Sequence, residues 1–103
     1  MATGKEADVN LRLVQFKLGP DRRADAQAIA DDLVPKVRAQ AGCERCEFFG
    51  DDETGDYGLI VLWTSADAAE AAAAVIAPQL GAALQAAQAT DASRRLFAVF
   101  EPN

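Results

Sequence analysis

Histidine is absent from the 103 residues, and tryptophan, tyrosine and cysteine are scarce, with one, one and two copies. Without histidine the chain lacks the commonest metal ligand, the usual general base and the partner that activates serine or cysteine nucleophiles. Lysine and arginine number 10 against 16 aspartate and glutamate, and the net charge of −6 argues against nucleic acid and anionic membranes as partners. No apolar run approaches the roughly 20 residues of a membrane span, and no signal-like stretch opens the sequence. We therefore expect a soluble, cytoplasmic protein.

A chain of this length builds one hydrophobic core, so we expect a frayed segment over 1–8 and a single domain over 9–103. Residues 9–18 alternate between apolar and polar, but the apolar parity changes near Leu13. This pattern predicts a strand that has either a bulge or two partly covered faces.

The remaining segments give a clear order of secondary structure. A helix over 24–41, kinked at Pro35, is followed by strands over 43–50 and 57–64. A second helix is capped by Thr64 or Ser65, is broken at Pro78 and resumes over 79–89. A last strand covers 95–101. The order βαββαβ predicts an α+β, ferredoxin-like fold, in which a four-stranded antiparallel sheet carries both helices on one face.

Three of the predicted strands are apolar on both faces, which bears on assembly. Two helices joined by crossovers of one hand cover only one face of the sheet. The other face would expose an apolar patch larger than soluble monomers usually tolerate. We therefore predict a homodimer that buries more than ~1,500 Å² through its sheet faces.

The familiar chemical motifs give little support for an activity. Cys43 and Cys46 have the spacing of a redox or zinc motif, but on a strand they would lie roughly 10 Å apart and on opposite faces. We therefore predict two ordinary buried thiols. The carboxylate clusters lie in turns or on solvated helix faces, and no phosphate-binding or hydrolase motif occurs. We expect no metal site.

The single tryptophan, Trp63, closes the third strand where the sheet meets a helix rich in alanine. Small side chains beneath a helix indicate either a close approach to the sheet or an unfilled pocket. The sequence leaves both alternatives open.

Taken together, the chain resembles the antibiotic biosynthesis monooxygenase family of the dimeric α/β-barrel superfamily. The resemblance covers residues 9–101. It is carried by a first strand ending at Gly19-Pro20, a helix ending at Ala41-Gly42-Cys43, a strand over 44–50 with an acidic turn, and the segment Leu62-Trp63-Thr64-Ser65-Ala66-Asp67-Ala68-Ala69.

The resemblance implies a homodimer with a pocket for a small hydrophobic aromatic ligand in each subunit. Members of this family oxidise reduced polycyclic aromatics or quinols without a cofactor, or degrade haem. Asn10 and Trp63 match two positions of the haem-degrading branch, but its iron-binding histidine is absent. Of the residues that characterise the anthrone-oxidising members, only Trp63 is present.

The resemblance thus implies a cofactor-independent monooxygenase acting on a reduced aromatic, polyketide-like or quinol substrate. Its catalytic candidates are Trp63 and Asn10, and its substrate-binding candidates are Arg12, Gln79 and Gln85. Trp63 would form a wall of the pocket, while Asn10 or Arg12 would stabilise an oxyanion. The alternative is a non-catalytic dimer of the same fold that binds small molecules or is purely structural.

Overall fold

This computed structural model describes residues 9–100 and 102, which contain four strands and two helices. The elements are β1 (Asn10–Lys17), α1 (Arg23–Arg38), β2 (Cys43–Asp51), β3 (Asp56–Trp63), α2 (Ala66–Ala86) and β4 (Thr90–Ala98). The four strands form one antiparallel sheet of order β2-β3-β1-β4, which confirms the βαββαβ ferredoxin-like prediction. The predicted frayed segment 1–8 lies outside the described residues. Within the described part, neither helix is long and apolar enough to cross a membrane.

The hydrophobic core lies between the helices and one face of the sheet. Alternate residues of the central strands point into it, among them Val14 and Phe16 of β1 and Leu59 and Val61 of β3. Both helices contribute a buried stripe at helical spacing: Ala26, Ile29, Leu33 and Val37 from α1, and Ala69, Ala72, Leu80 and Leu84 from α2.

The register of β1 decides between the two alternatives for its changing parity. β1 pairs with β3 without interruption from Asn10 to Lys17, and its only irregularity is on the β4 side, between Gln15 and Lys17. Leu11 and Leu13 therefore lie on the face opposite the helices, where each is half-buried. The strand has two partly covered faces.

The predicted break of α2 at Pro78 is wrong, because the helix runs through this residue without interruption. A proline in a helix removes one hydrogen bond and costs about 3 kcal/mol. Pro78 is exposed, so the carbonyl group freed in the preceding turn can bind water. Leu80 and Leu84 continue the buried stripe beyond it, and their burial outweighs the cost.

The last strand begins five residues earlier than predicted, at Thr90, and ends three residues earlier, at Ala98. Residues 90–95 are exposed and, apart from Ala92, polar, so they show none of the alternation that predicts a strand. They pair with β1 through the backbone and form an edge of the sheet. An edge strand needs little apolar content, since one side of it meets solvent.

The face of the sheet opposite the helices is apolar at its centre. Leu11 and Leu13 of β1 lie beside Ile60 and Leu62 of β3, and Phe97 of β4 pairs with Leu11. All five are partly exposed, and no described helix covers them. We call these five residues the open face.

Candidate functional site

An apolar cavity lies between α2 and the sheet, with Trp63 in its wall. Its volume is about 40 Å³, and alanines of α2, at Ala69, Ala72 and Ala73, form its roof. Ligand pockets begin at about 300 Å³, so this space alone is too small for an aromatic ring. The alanine helix thus leaves a void over Trp63, but it approaches the sheet closely around that void.

The cavity continues outward into a larger space between α2 and β4. This outer space has a volume of about 280 Å³, close to the lower end of ligand pockets at about 300 Å³. The two spaces share Val14, Ala77, Leu80 and Arg94 in their linings. We call the two together the α2 groove, which runs from Trp63 and Arg12 at its inner end to Leu84 and Ser93 at its outer end.

Trp63 is buried at the inner end of the groove. It is the last residue of β3, is 3 % exposed, and pairs across the ladder with Asn10. Its indole Nε1–H is buried and makes no hydrogen bond to any described residue. An indole nitrogen is a donor only, and an unsatisfied buried donor costs about 1–3 kcal/mol. A ligand that brings an acceptor atom would remove this cost.

Arg12 supplies a second donor of the same kind. Its side chain is 13 % exposed, and Nη2 lies 3.6 Å from Oε2 of Glu70, which is beyond a good hydrogen bond. Nη2 is buried and has no hydrogen-bond partner among the described residues. Arg12 and Trp63, which both line one apolar cavity, thus each carry a buried donor without a hydrogen-bond partner. Such donors stabilise an anionic oxygen more strongly in a site without water than in solvent.

The other predicted site residues lie outside the lining of the groove. Asn10 is buried directly opposite Trp63 on the neighbouring strand. Gln79 donates from Nε2 to the carbonyl oxygen of Val75 in its own helix at 3.2 Å, and Gln85 is exposed. The structure thus brings Trp63 and Arg12 together, places Asn10 beside them, and keeps both glutamines away from the two spaces.

Arg94 lines both parts of the groove and is not among the residues predicted from the sequence. It pairs with Val14 and therefore faces the helices. No sequence pattern would have found it, because residues 90–95 lack the alternation of a strand and the predicted strand begins only at Arg95.

The two cysteines lie on the same side of the sheet, not on opposite sides as predicted. Cys43 pairs with Trp63 and Cys46 with Val61, and an irregularity between Cys43 and Arg45 puts both cysteines on the helix side of the sheet. They do not lie on opposite faces as predicted, because a bulge adds one residue to the strand and restores the same parity. Both are free thiols, and burial raises the pKa of Cys46 to about 11, which disfavours the reactive thiolate.

A separate polar cluster lies at the other end of β3. The hydroxyl of Tyr57 donates to Oδ1 of Asp52 at 2.7 Å, and Nη1 of Arg23 donates to Oδ2 of the same carboxylate at 2.8 Å. These bonds hold the pKa of Asp52 below its usual value, and the bond to Asp52 raises the pKa of Tyr57. The cluster joins the β2–β3 hairpin to α1, far along the strand from Trp63.

The fold and the groove define a class: a small ferredoxin-like α+β protein with an apolar groove beneath its second helix. The family model of antibiotic biosynthesis monooxygenases matches residues 11–74, more than half of the sequence. The chain therefore belongs to the antibiotic biosynthesis monooxygenase family.

Solved structures with the same fold include several of this family. SnoaB, a cofactor-independent oxygenase from Streptomyces nogalater, is 23 % identical, with a TM-score of 0.74 over 93 % of this chain and 97 % of that chain. A candidate antibiotic biosynthesis monooxygenase from Deinococcus radiodurans has a TM-score of 0.79 and 16 % identity over 91 % of this chain and 95 % of its own. One from Caulobacter crescentus has a TM-score of 0.75 and 21 % identity over 92 % of both chains. A comparison with curated protein sequences finds no significant match.

Proposed function

We propose that the protein is a cofactor-independent monooxygenase that uses O₂ to oxidise a reduced aromatic substrate, such as an anthrone-type compound or a quinol. The observation that carries the proposal is the pair of buried donors without hydrogen-bond partners, Nη2 of Arg12 and Nε1 of Trp63, on two residues that line an apolar cavity. Membership of the monooxygenase family supports the reaction type, and SnoaB, described as a cofactor-independent oxygenase, supports the absence of a cofactor.

The two donors would act on the oxygen of the substrate. A phenol or anthrone whose oxygen accepts hydrogen bonds from Arg12 and Trp63 loses its proton more easily, because both donors stabilise the phenolate or enolate. The proton passes to water at the mouth of the groove. The apolar walls then keep the electron-rich anion away from solvent, which favours its reaction with O₂.

The oxidation of an anthrone-type substrate balances without a further reductant. The enolate gives one electron to O₂, and the resulting superoxide joins the substrate radical to form a carbon–oxygen bond. A proton from water completes the hydroperoxide. Cleavage of its O–O bond, with loss of the hydrogen on the same carbon, releases one water molecule and leaves the quinone carbonyl. One oxygen atom of O₂ thus enters the product, and the other leaves as water.

The dimensions of the groove suggest how such a substrate lies. The inner cavity of about 40 Å³ admits an oxygen substituent, whereas the outer space of about 280 Å³ is suited to a ring system. We place the rings against Leu80 and Leu84, with the reacting oxygen directed towards Arg12 and Trp63. The alanines of α2 would allow a small outward displacement of the helix as the rings enter.

We also propose that the protein is a homodimer joined through the open face. In the monomer this face leaves Leu11, Leu62 and Phe97 partly exposed in neighbouring positions on the three strands β3, β1 and β4. A second copy related by a twofold axis would remove them from water and close the two sheets into a barrel. The α2 groove lies on the opposite side of the sheet and stays accessible in this arrangement.

Oxygen consumption tests the proposed activity. We expect the protein to accelerate O₂ uptake by a dihydroxyanthrone or by a quinol over the rate in buffer. Trp63→Phe keeps an aromatic wall but removes the donor, and Arg12→Gln removes the charge, so each should lower turnover by about 10²-fold, as the loss of one oxyanion donor does. Lys36→Gln changes the charge equally on the exposed surface of α1, where Lys36 pairs with Asp32, and should leave turnover unchanged.

Two results would contradict the proposal. Unchanged turnover in Trp63→Phe would reduce this residue to a packing role. Equal binding of the anthrone and its quinone, with no oxygen consumed, would identify a non-catalytic binding protein. Thermal unfolding of each variant shows whether a loss of turnover exceeds any loss of stability.

A further inference from the structure

We propose that Arg94 makes the groove selective for aromatic substrates that carry a carboxylate in addition to the reacting oxygen. The inference rests on the proposed function, since it concerns the ligand of the same groove. It assigns a specificity-determining role to a residue that lies at the junction of the inner and outer spaces.

Arg94 lies close to Arg12 in the sheet. Arg12 pairs with Leu96 and Val14 pairs with Arg94, so the two arginines are diagonal neighbours on adjacent strands. Both face the helices, and diagonal neighbours in an antiparallel pair are about 7–8 Å apart, within reach of long side chains. A ligand that reaches Arg12 with one oxygen therefore has Arg94 within reach of a substituent on a neighbouring ring.

Arg94 differs in its contacts from the other cationic side chains of the described residues. The other lysines and arginines of the described residues make ion pairs, hydrogen bonds or ring contacts. Arg95, next in the chain, lies over the ring of Phe97 at 4.5 Å on the other face of the sheet. Arg94 forms no ion pair or hydrogen bond with any described residue. Its charge is thus available to a ligand.

The charge of the groove is opposite in sign to the net charge of the protein. The protein carries a net charge of −6, yet its groove is lined by two arginines and by no carboxylate. Glu70, which forms an ion pair with Arg12, is 68 % exposed and does not line the groove, so the charge of Arg94 is the unpaired one. A positive groove in an acidic protein favours an anionic ligand over a neutral one of the same shape. Arginine suits a carboxylate in particular, since its two parallel N–H groups match the two oxygens.

Paired probes provide the test, with Trp63, the single tryptophan, as the reporter. One probe is a dihydroxyanthraquinone with both hydroxyls beside one carbonyl, and the other is the same compound with a carboxylate on an outer ring. Quenching of Trp63 fluorescence gives both dissociation constants. We expect the carboxylated probe to bind about 10-fold more tightly to the native protein, with a preference that falls as salt is added.

The variants separate selectivity from a general effect on the groove. Arg94→Gln should bind both probes equally, at the native affinity for the neutral probe, and Arg94→Lys should recover part of the preference. Lys36→Gln should retain the full preference. Arg94 is exposed on an edge strand, so we expect Arg94→Gln to fold and to unfold thermally like the native protein.

The possible failures are distinguishable. If the native protein binds both probes equally, or if Arg94→Gln weakens both by the same factor, the role of Arg94 is refuted while aromatic binding and oxygen uptake stand. If neither probe quenches Trp63 and no reduced aromatic accelerates oxygen uptake, the proposed function fails and the inference fails with it.

Discussion

The space over Trp63 can be tested by filling it with a single methylene group. Val61 is 3 % exposed, lines the inner cavity and pairs with Arg12 across the β1–β3 ladder. Val61→Ile keeps a β-branched side chain in a strand and adds one carbon next to a void of about 40 Å³. The added group therefore meets free space, and little repacking is needed.

The expected gain in stability follows from two estimates. Burying one methylene is worth about 0.8 kcal/mol. Filling a cavity of 40 Å³ completely is worth about 1 kcal/mol, at ~24 cal/mol per Å³. We therefore expect the free energy of unfolding to rise by about 0.8 kcal/mol, which raises the Tm by roughly 3–6 °C in a domain of this size. Urea unfolding measures the free energy, and thermal unfolding measures the Tm. The protein concentration is kept fixed, since the unfolding midpoint of an oligomer depends on it.

The same substitution should weaken ligand binding, because the new methyl group takes space beside Arg12. Affinity for the neutral dihydroxyanthraquinone should fall, although the protein becomes more stable. Val34→Ile is the matched control, since Val34 packs against the core from α1 but does not line the groove. A loss of stability above about 1 kcal/mol in Val61→Ile would indicate overpacking and refute the void. Higher stability with unchanged affinity would place the ligand elsewhere.

Three further predictions concern other parts of the molecule. The single tyrosine, Tyr57, should titrate above the ordinary pKa of 10.0 because it donates to Asp52, and Asp52→Asn should bring the pKa back towards that value in a spectrophotometric titration. A raised pKa favours the neutral phenol, so this bond stabilises the fold below about pH 10. Its contribution to stability is lost as pH rises through the pKa of the folded state. A native tyrosine that titrates at the ordinary pKa would refute the bond. Ser65→Ala should lower the free energy of unfolding by about 1 kcal/mol in chemical denaturation, because the Ser65 hydroxyl accepts from the backbone N–H of Ala68 at 3.1 Å, and an unchanged value would contradict this capping role. Leu62→Asp puts a charge at the centre of the open face and should convert the dimer to a monomer in sedimentation equilibrium at micromolar concentration; a native protein that sediments as a monomer near 11 kDa would refute the dimer itself.

The central strands were the most predictable part of the fold. β1 and β3 each have two neighbouring strands and a helix-covered face, so burial imposes a regular pattern on their side chains. Trp63 and Arg12 lie on these strands, and the sequence identified both as site candidates. Their juxtaposition depends on an antiparallel register that the sequence does not specify residue by residue.

The helix α2 was less predictable at its proline. Local preference alone ends a helix near Pro78, because the ring cannot donate and clashes with the preceding turn. What sustains the helix is tertiary: Leu80 and Leu84 reach the sheet only if the same helical face continues past Pro78. The same continuity extends the α2 groove towards its outer end, where Leu84 and Ser93 face each other.

The remaining errors fall on the outer strands, β2 and β4. Each has a neighbour on one side only, so backbone pairing can accept a bulge near Cys43 or a polar run before Arg95 at little cost. Both features bear on the site, since the bulge places Cys43 opposite Trp63 and the longer β4 brings Arg94 to the groove. β1 and β3, which position Arg12 and Trp63, are thus the strands with the strongest sequence pattern. The residue to which we assign selectivity lies on an edge, where sequence can change without disturbing the core.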